Sequence, residues 1–306
     1  MLQSIRAFFA ERDVLEVETP ALSKSTITDP HLQSFKTRYR NADYYLQTSP
    51  EFFMKRLLAS GSGDIYQISK VFRDDEQGKN HNPEFSMLEW YRTGFDHHQL
   101  MDEMTALFEY LLNDMPTDIQ WQTATRLSYQ QAFLDVLGID PLEAGAAELK
   151  TVAEKNNIEI PIGMDEDDKD MWLDWLMTQA IAPSFDKNSF TFLYDYPASQ
   201  AALAKLNADD SRTAHRFEVF YGELELANGF NELTDAVEQR RRFENENKKR
   251  KELGLEVVPV DENLLSALEN GMPECSGVAV GLDRLLKVLL GVESIEGVLS
   301  FGVRVI

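Results

Sequence analysis

The sequence predicts an α+β fold, an antiparallel β-sheet flanked by helices, and three stretches carry that prediction. Residues 64–91, DIYQISKVFRDDEQGKNHNPEFSMLEWY, read as two extended runs around a polar loop. Ile65, Val71 and Phe72 are strand formers ahead of the loop, and Gly78, Asn80, Asn82 and Pro83 break the chain within it. Residues 216–235 read as a hairpin, with a two-residue turn at Tyr221-Gly222. From 100 to about 183 the pattern is mostly helical: Leu100, Met104, Leu107, Phe108 and Leu111 form one apolar stripe, and Trp172, Trp175 and Leu176 another.

The remaining elements follow in chain order. Leu2, Ile5, Phe8 and Phe9 recur at helical spacing, so the first dozen residues form an amphipathic helix. A short strand from Val14 ends before Pro20. Residues 44–61, YYLQTSPEFFMKRLLASG, give a strand, a turn and a helix, with Ser49 as N-cap and Pro50 at the first helical position. The acidic run at 165–168 is a solvated loop leading into a helix, and 190–197 is a strand of alternating aromatics. Residues 236–251 form a highly charged helix, either a solvated face or a docking patch for an acidic partner. Residues 276–291, SGVAVGLDRLLKVLLG, run from a glycine-bearing strand into an apolar helix.

Several residues do not fit a purely structural role. Phe85, Met87, Glu89 and Tyr91 share one face of their strand, while Ser86, Leu88 and Trp90 share the other. An acid between Met87 and Tyr91 points to the floor of a polar pocket. Arg73 can fork two hydrogen bonds onto a carboxylate or phosphate, and Asp74 and Asp75 can hold an amine; the same three residues also suit a solvated hairpin tip. Glu51 suits a helix N-terminus through the dipole alone. A turn at Tyr221-Gly222 sets Glu218 opposite Glu225, an arrangement that requires a cation between them, either Mg²⁺ or a core arginine. His97 and His98 have no partners at ligand spacing and read as surface residues, and no catalytic residue is expected in the helical stretch.

Composition narrows the class. The 306 residues are 43% hydrophobic, and no apolar run is long enough for a membrane span. The one cysteine, Cys275, rules out an intrachain disulfide and a cysteine-cluster metal site, which suits a cytoplasmic protein. A net charge of −22 opposes a large nucleic-acid footprint.

FRDD, HNPEF and MLEWY together closely resemble motif 2 of the class II aminoacyl-tRNA synthetases in its lysyl form. EVETPAL resembles motif 1, which implies a homodimer interface, and GLDR resembles motif 3. ANGFNELTD is similar to the lysine-pocket loop of the lysyl enzymes. All three motifs occur in order over nearly the whole chain. The resemblance implies one catalytic domain over 1–306, with a mainly helical insertion at about 97–186.

The resemblance also implies a site. ATP would be held by Arg73, Asp74, Asp75, His81, Asn82, Phe85, Glu225, Leu226, Gly281 and Arg284, with adenine between Phe85 and Arg284 and Mg²⁺ on Glu218 and Glu225. An amino acid would be held by Ser49, Glu51, Glu89, Tyr91, Asn228, Phe230, Glu232 and Ala279, with Glu232 on its distal ammonium. Arg73, Glu225 and Arg284 would be the catalytic groups. Two departures stand out: the chain starts at motif 1 without room for an anticodon-binding OB-fold, and Ala279 replaces the glycine of lysyl enzymes. Both resemble the freestanding lysyl-synthetase paralogs that attach (R)-β-lysine to translation elongation factor P and do not charge tRNA. Other readings are a truncated lysyl enzyme activating α-lysine, an amidating enzyme of the class II-like asparagine synthetase type, and a non-catalytic binding module. Glu232 and Tyr91 suit a cationic substrate tail, which argues against amidation.

Overall fold

In the computed structural model, which describes residues 1–74, 78–115, 117 and 122–303, eight strands form one sheet and three form a smaller one. The chain opens with helix α1 (Leu2–Ala10), whose Ile5, Phe8 and Phe9 are fully buried. Strand β1 (Leu15–Glu16) follows, then β2 (Leu22–Ser23), β3 (Lys36–Tyr39) and β4 (Ala42–Leu46) of the small sheet. Helix α2 (Glu51–Ala59) leads to β5 (Ile65–Phe72) and β6 (Glu84–Thr93), the two extended runs around the polar loop. Ser49 is not the cap of α2: Pro50 takes that position, Glu51 is the first helical residue, and Ser49 Oγ only accepts a long 3.4 Å bond from the Glu51 N–H.

Helix α3 (His97–Asp114) starts with a reciprocal cap between Asp96 and Gln99. After it come β7 (Thr125–Ser128), α4 (Tyr129–Leu137), α5 (Ala146–Lys155) and α6 (Lys169–Leu176), the last capped by Asp168 from the acidic run. Strands β8 (Phe190–Pro197), β9 (Thr213–Tyr221) and β10 (Leu224–Asn231) precede α7 (Ala236–Glu252) and α8 (Glu262–Glu269). Strand β11 (Cys275–Gly281) runs directly into α9 (Leu282–Leu289).

The large sheet runs β1-β5-β6-β11-β10-β9-β8-β7 and is antiparallel throughout its centre, with β1 and β7 joining the edges in parallel. One face packs on α1 and α3: Phe8, Phe9, Leu100, Met104 and Leu107 press against Leu88 and Trp90, Phe217 and Val219, and Val278 and Val280. Helices α4 to α6 build a separate cluster with Leu193, Tyr196 and Phe220 at the β8 end. Trp172 and Leu176 lie inside it, whereas Trp175 is only half-buried and donates its Nε1–H to the Glu159 carbonyl at 3.0 Å. No helix among the described residues is long and apolar enough to cross a membrane.

Three expectations require correction. The hairpin turn is Gly222-Glu223, since Tyr221 pairs with Leu224, and Gly222 supplies the positive φ of 54°. Leu226 is then an extra residue in β10, so Glu218 lies opposite Asn228 and Glu225 opposite Phe220. The two acids are diagonal neighbours on one face, not direct partners. Second, His97 is buried at 3% exposure against His215 and Asp195, because it sits on the first turn of α3 where that helix meets the sheet; only His98 is exposed. Third, the arginines of α7 are used within the fold. Arg240 pairs with Glu262, Arg241 and Arg242 with Glu238, and the buried Arg250 donates to the carbonyls of Asp29 and Glu256. Arg242 and Arg250 are thus committed inside the fold, whereas Arg240 and Arg241 stay on the surface, 41% and 62% exposed.

Candidate active site

The sheet face away from the α1 and α3 core opens onto a cleft of about 340 Å³, a size suited to a small molecule. Alternation along β6 sorts its side chains: Leu88 and Trp90 are in the core, and Phe85, Met87, Glu89 and Tyr91 line the cleft. A buried floor of strands positions these groups more rigidly than loops would.

One end of the cleft is an acid cage. Glu51 at the start of α2, Glu89 on β6 and Glu232 just after β10 all line it. Lys55, one turn along α2, inserts its ammonium among them: Nζ lies 2.6 Å from Glu51 Oε1 and 2.6 Å from Glu232 Oε2, and the side chain is 1% exposed. Burial works against the charge on Lys55, yet Glu232 and Glu51 outweigh it and hold the ammonium above the usual lysine range. The acids respond in the opposite sense. Burial, with Glu51 close by, pushes Glu89 well above the usual carboxylate range, and burial raises Glu232 in spite of Lys55. Tyr91 Oη donates to Glu89 Oε1 at 2.8 Å. Sequence reading missed Lys55, because a lysine four residues after a glutamate on a helix is ordinarily a surface pair.

Gly277 keeps this end open. It faces Tyr91 across the β6–β11 ladder, and a Cβ there would lie 2.3 Å from Tyr91 Cε1 and 2.6 Å from Glu232 Oε1. Ala279, opposite both Glu89 and Asn228, contributes its methyl group to the lining. Ser49, Asn228 and Phe230 line the same region.

The other end gathers cations. Arg73, just past β5, places its guanidinium 5.1 Å from the Phe85 ring centroid. Arg284, in the first turn of α9, donates to the Glu225 carbonyl at 2.9 Å and the Asn80 carbonyl at 3.1 Å, and lies 2.7 Å from His81 Nε2. Phe85 thus contacts Arg73, whereas the family resemblance led us to expect Arg284 across a purine from it. Asp283 ties the two motifs together by accepting the Ser86 N–H at 2.7 Å. His81, Leu226 and Gly281 line the cleft. Asn82 lines it too, but its amide is engaged with the Glu84 carbonyl and the Val303 N–H. Asp74 lies outside the lining, its N–H donating to the Gln33 carbonyl, and Asp75 lies outside the described residues.

Glu218 and Glu225 both face the cleft, but in different states. Glu218 is satisfied by Arg216 and by the Tyr196 hydroxyl at 2.7 Å, so the core arginine considered as an alternative to Mg²⁺ does exist for this acid. Arg216, which also bonds Asn228, was not anticipated. Glu225 keeps 45% of its side chain exposed, and its nearest cation is Arg284 at 3.8 Å. Partial desolvation by the cleft walls and the neighbouring Glu218 push its pKa up to about 6. A carboxyl that resists ionising without a counter-charge fits a divalent cation; Glu218 has less capacity left.

The family model described as tRNA synthetases class II (D, K and N) matches residues 1–304. The elongation factor P–(R)-β-lysine ligase of Vibrio cholerae serotype O1 is 52% identical over 307 residues, covering 98% of this chain and 92% of that protein. The protein of the same name from Salmonella typhi is 48% identical over 309 residues, covering 99% and 93%.

Proposed function

The chain belongs to the class II tRNA synthetase family (D, K and N), and from that premise we propose that it is an ATP-dependent, AMP-forming ligase that activates (R)-β-lysine and transfers it to a lysine ε-amino group of elongation factor P. The observation that carries the reading is the pairing of an acid cage, already sized for an alkylammonium, with an arginine-lined end in the same cleft.

ATP lies with its adenine against Phe85 and Arg284 and its α-phosphate on Arg73. The distal ammonium of the substrate enters the cage of Glu232, Glu89 and Tyr91, and its second amine is met by Glu51 and Ser49. The substrate carboxylate attacks the α-phosphorus, the bond to the bridging oxygen breaks, and pyrophosphate leaves. Arg73 meets the charge that develops on the α-phosphoryl oxygens, so the protein contributes mainly position and electrostatics. The acceptor amine then attacks the mixed anhydride, an amide forms and AMP leaves. Glu225, assisted by Glu218, would hold Mg²⁺, which neutralises phosphate charge when bound. No protein nucleophile takes part.

The methyl of Ala279 supports a β-amino over an α-amino substrate, since it narrows the cleft between Asn228 and Glu89. A net charge of −22 supports a protein acceptor over tRNA, because the field repels a polyanion. Leu15 and Leu22, 56% and 38% exposed on the motif 1 segment, support a homodimer through that face. The cytoplasm is the compartment where such an acceptor is found. Incubation with Mg-ATP and β-lysine, separately with elongation factor P and with bulk tRNA, tests the reading by intact mass. A gain of one lysyl unit on the factor, without charged tRNA, is the expected result; charged tRNA with an unmodified factor overturns it.

A further inference from the structure

We propose that His97, Asp195 and His215 form a second site, on the sheet face opposite the cleft, for a zinc-class divalent transition-metal ion. The three come from α3, β8 and β9, and their ligand atoms all lie within 4.8 Å of one another. His215 projects with Phe217 and Val219 toward α3, whereas Arg216 and Glu218 face the cleft, so the two sites are on opposite sides of β9.

Two observations point to an ion and away from a simple hydrogen-bonded cluster. His97 Nε2 and His215 Nδ1 approach the same atom, Asp195 Oδ1, at 3.4 and 3.7 Å. Those separations exceed a charge-assisted hydrogen bond of about 2.7–2.9 Å. They are close to the ~3.3 Å edge of a tetrahedron built on metal bonds of about 2.0–2.1 Å. Next, the polar atoms lack well-formed hydrogen bonds: His97 is 3% exposed, and beyond the long approaches just given neither of its ring nitrogens, nor Asp195 Oδ1, nor His215 Nδ1 has a partner at hydrogen-bonding geometry. Asp195 sits at the break in the β8–β9 register opposite His215 with a φ of 58°, a left-handed state that aspartate visits more readily than most residues. Imidazole and carboxylate without thiolate suit Zn²⁺ or a first-row neighbour, with a fourth position left for water. Asp195 and His215 are about a quarter exposed, which gives an ion a way in.

Bound there, the ion would pin the start of α3 to β8 and β9, joining segments far apart in the chain. The test uses the full chain after chelator treatment and dialysis, titrated with Zn²⁺ by calorimetry and followed by thermal unfolding. One ion per chain and a raised Tm are expected. Asp195→Asn tolerates the left-handed backbone and keeps the volume, and His215→Gln changes a partly exposed residue. Each should weaken Zn²⁺ binding by more than about 100-fold and abolish the Tm gain, leaving Mg²⁺-dependent pyrophosphate exchange unchanged. Co²⁺ in place of Zn²⁺ should give the intense visible absorption of a tetrahedral site, and both variants should lose it. The proposal is overturned if the chain takes up no Zn²⁺, or if uptake and Tm gain persist in both variants, which would place the ion elsewhere.

Discussion

Gly277→Ala tests the acid cage directly. The new Cβ would lie 2.3 Å from Tyr91 Cε1, 2.5 Å from Cδ1 and 2.6 Å from Glu232 Oε1, where ordinary contact begins at 3.4 Å. Tyr91 would have to recede by 3.4 − 2.3 = 1.1 Å. It has little room, being 2% exposed with Ile65 as its neighbour on β5. Overpacking of this kind costs about 1–3 kcal/mol of stability. The displacement also pulls Tyr91 from Glu89 and Glu232 from Lys55, so the geometry that receives the substrate ammonium is lost as well. A loss of about 1.4 kcal/mol in that contact raises the amino-acid KM tenfold. The ATP end, more than a strand's width away at Arg73 and Arg284, should keep its KM within about twofold, since substitutions without shared partners act independently. Pyrophosphate exchange at varied amino acid and varied ATP separates the two, alongside urea unfolding. A destabilised variant with an unchanged amino-acid KM would refute the placement of the ammonium beside Tyr91 and Glu232.

Four other outcomes are expected. Arg73→Ala should fold normally and lose about 3 kcal/mol or more of transition-state stabilisation in pyrophosphate exchange; near-normal exchange removes it from the chemistry. Ala279→Gly should shift the ratio of kcat/KM values toward α-lysine, and an unshifted ratio ends the steric argument. Lys55→Met leaves Glu51 and Glu232 without their cation, so denaturant unfolding should show a loss of about 3–5 kcal/mol, and a loss under about 1 kcal/mol would mean the acids were not ionised. Glu225, with its pKa raised from 4.5 to about 6, gives the ligand-free fold a contribution that is full below about 4.5 and lost as pH rises through 6. Mg²⁺ needs the ionised form, so its calorimetric affinity should climb across the same interval in the native chain and stay flat in Glu225→Gln.

Local pattern and long-range geometry were not equally legible in the sequence. Period-2 alternation was enough to place Glu89 and Tyr91 on the cleft side of β6, because a continuous strand leaves no freedom in which face a residue takes. The same logic failed one hairpin later, since Leu226 is inserted into β10 without any change in residue character, and the partners of Glu218 and Glu225 shifted. Charge count misled for α7: Arg242 and Arg250 look like surface residues in a charged run, but their forks satisfy backbone carbonyls of distant loops. The histidines failed for a related reason. Nothing near His97 in the chain announces Asp195 or His215, which only the sheet brings to it.

Lys55 allows the cage to be read as a charge inventory. Its ammonium is a covalently tethered specimen of the ligand that the cleft is meant to receive, seated between two of the three acids. If Glu232 were the sole acid, that tethered amine would satisfy it, and a free diamine would find a neutral hole. Three carboxylates against one resident ammonium leave a deficit of up to two positive charges when all are ionised, which is the number that a lysine-like diamine carries. Selectivity would then follow from electroneutrality as well as shape: a monoamine of the same length leaves one acid uncompensated.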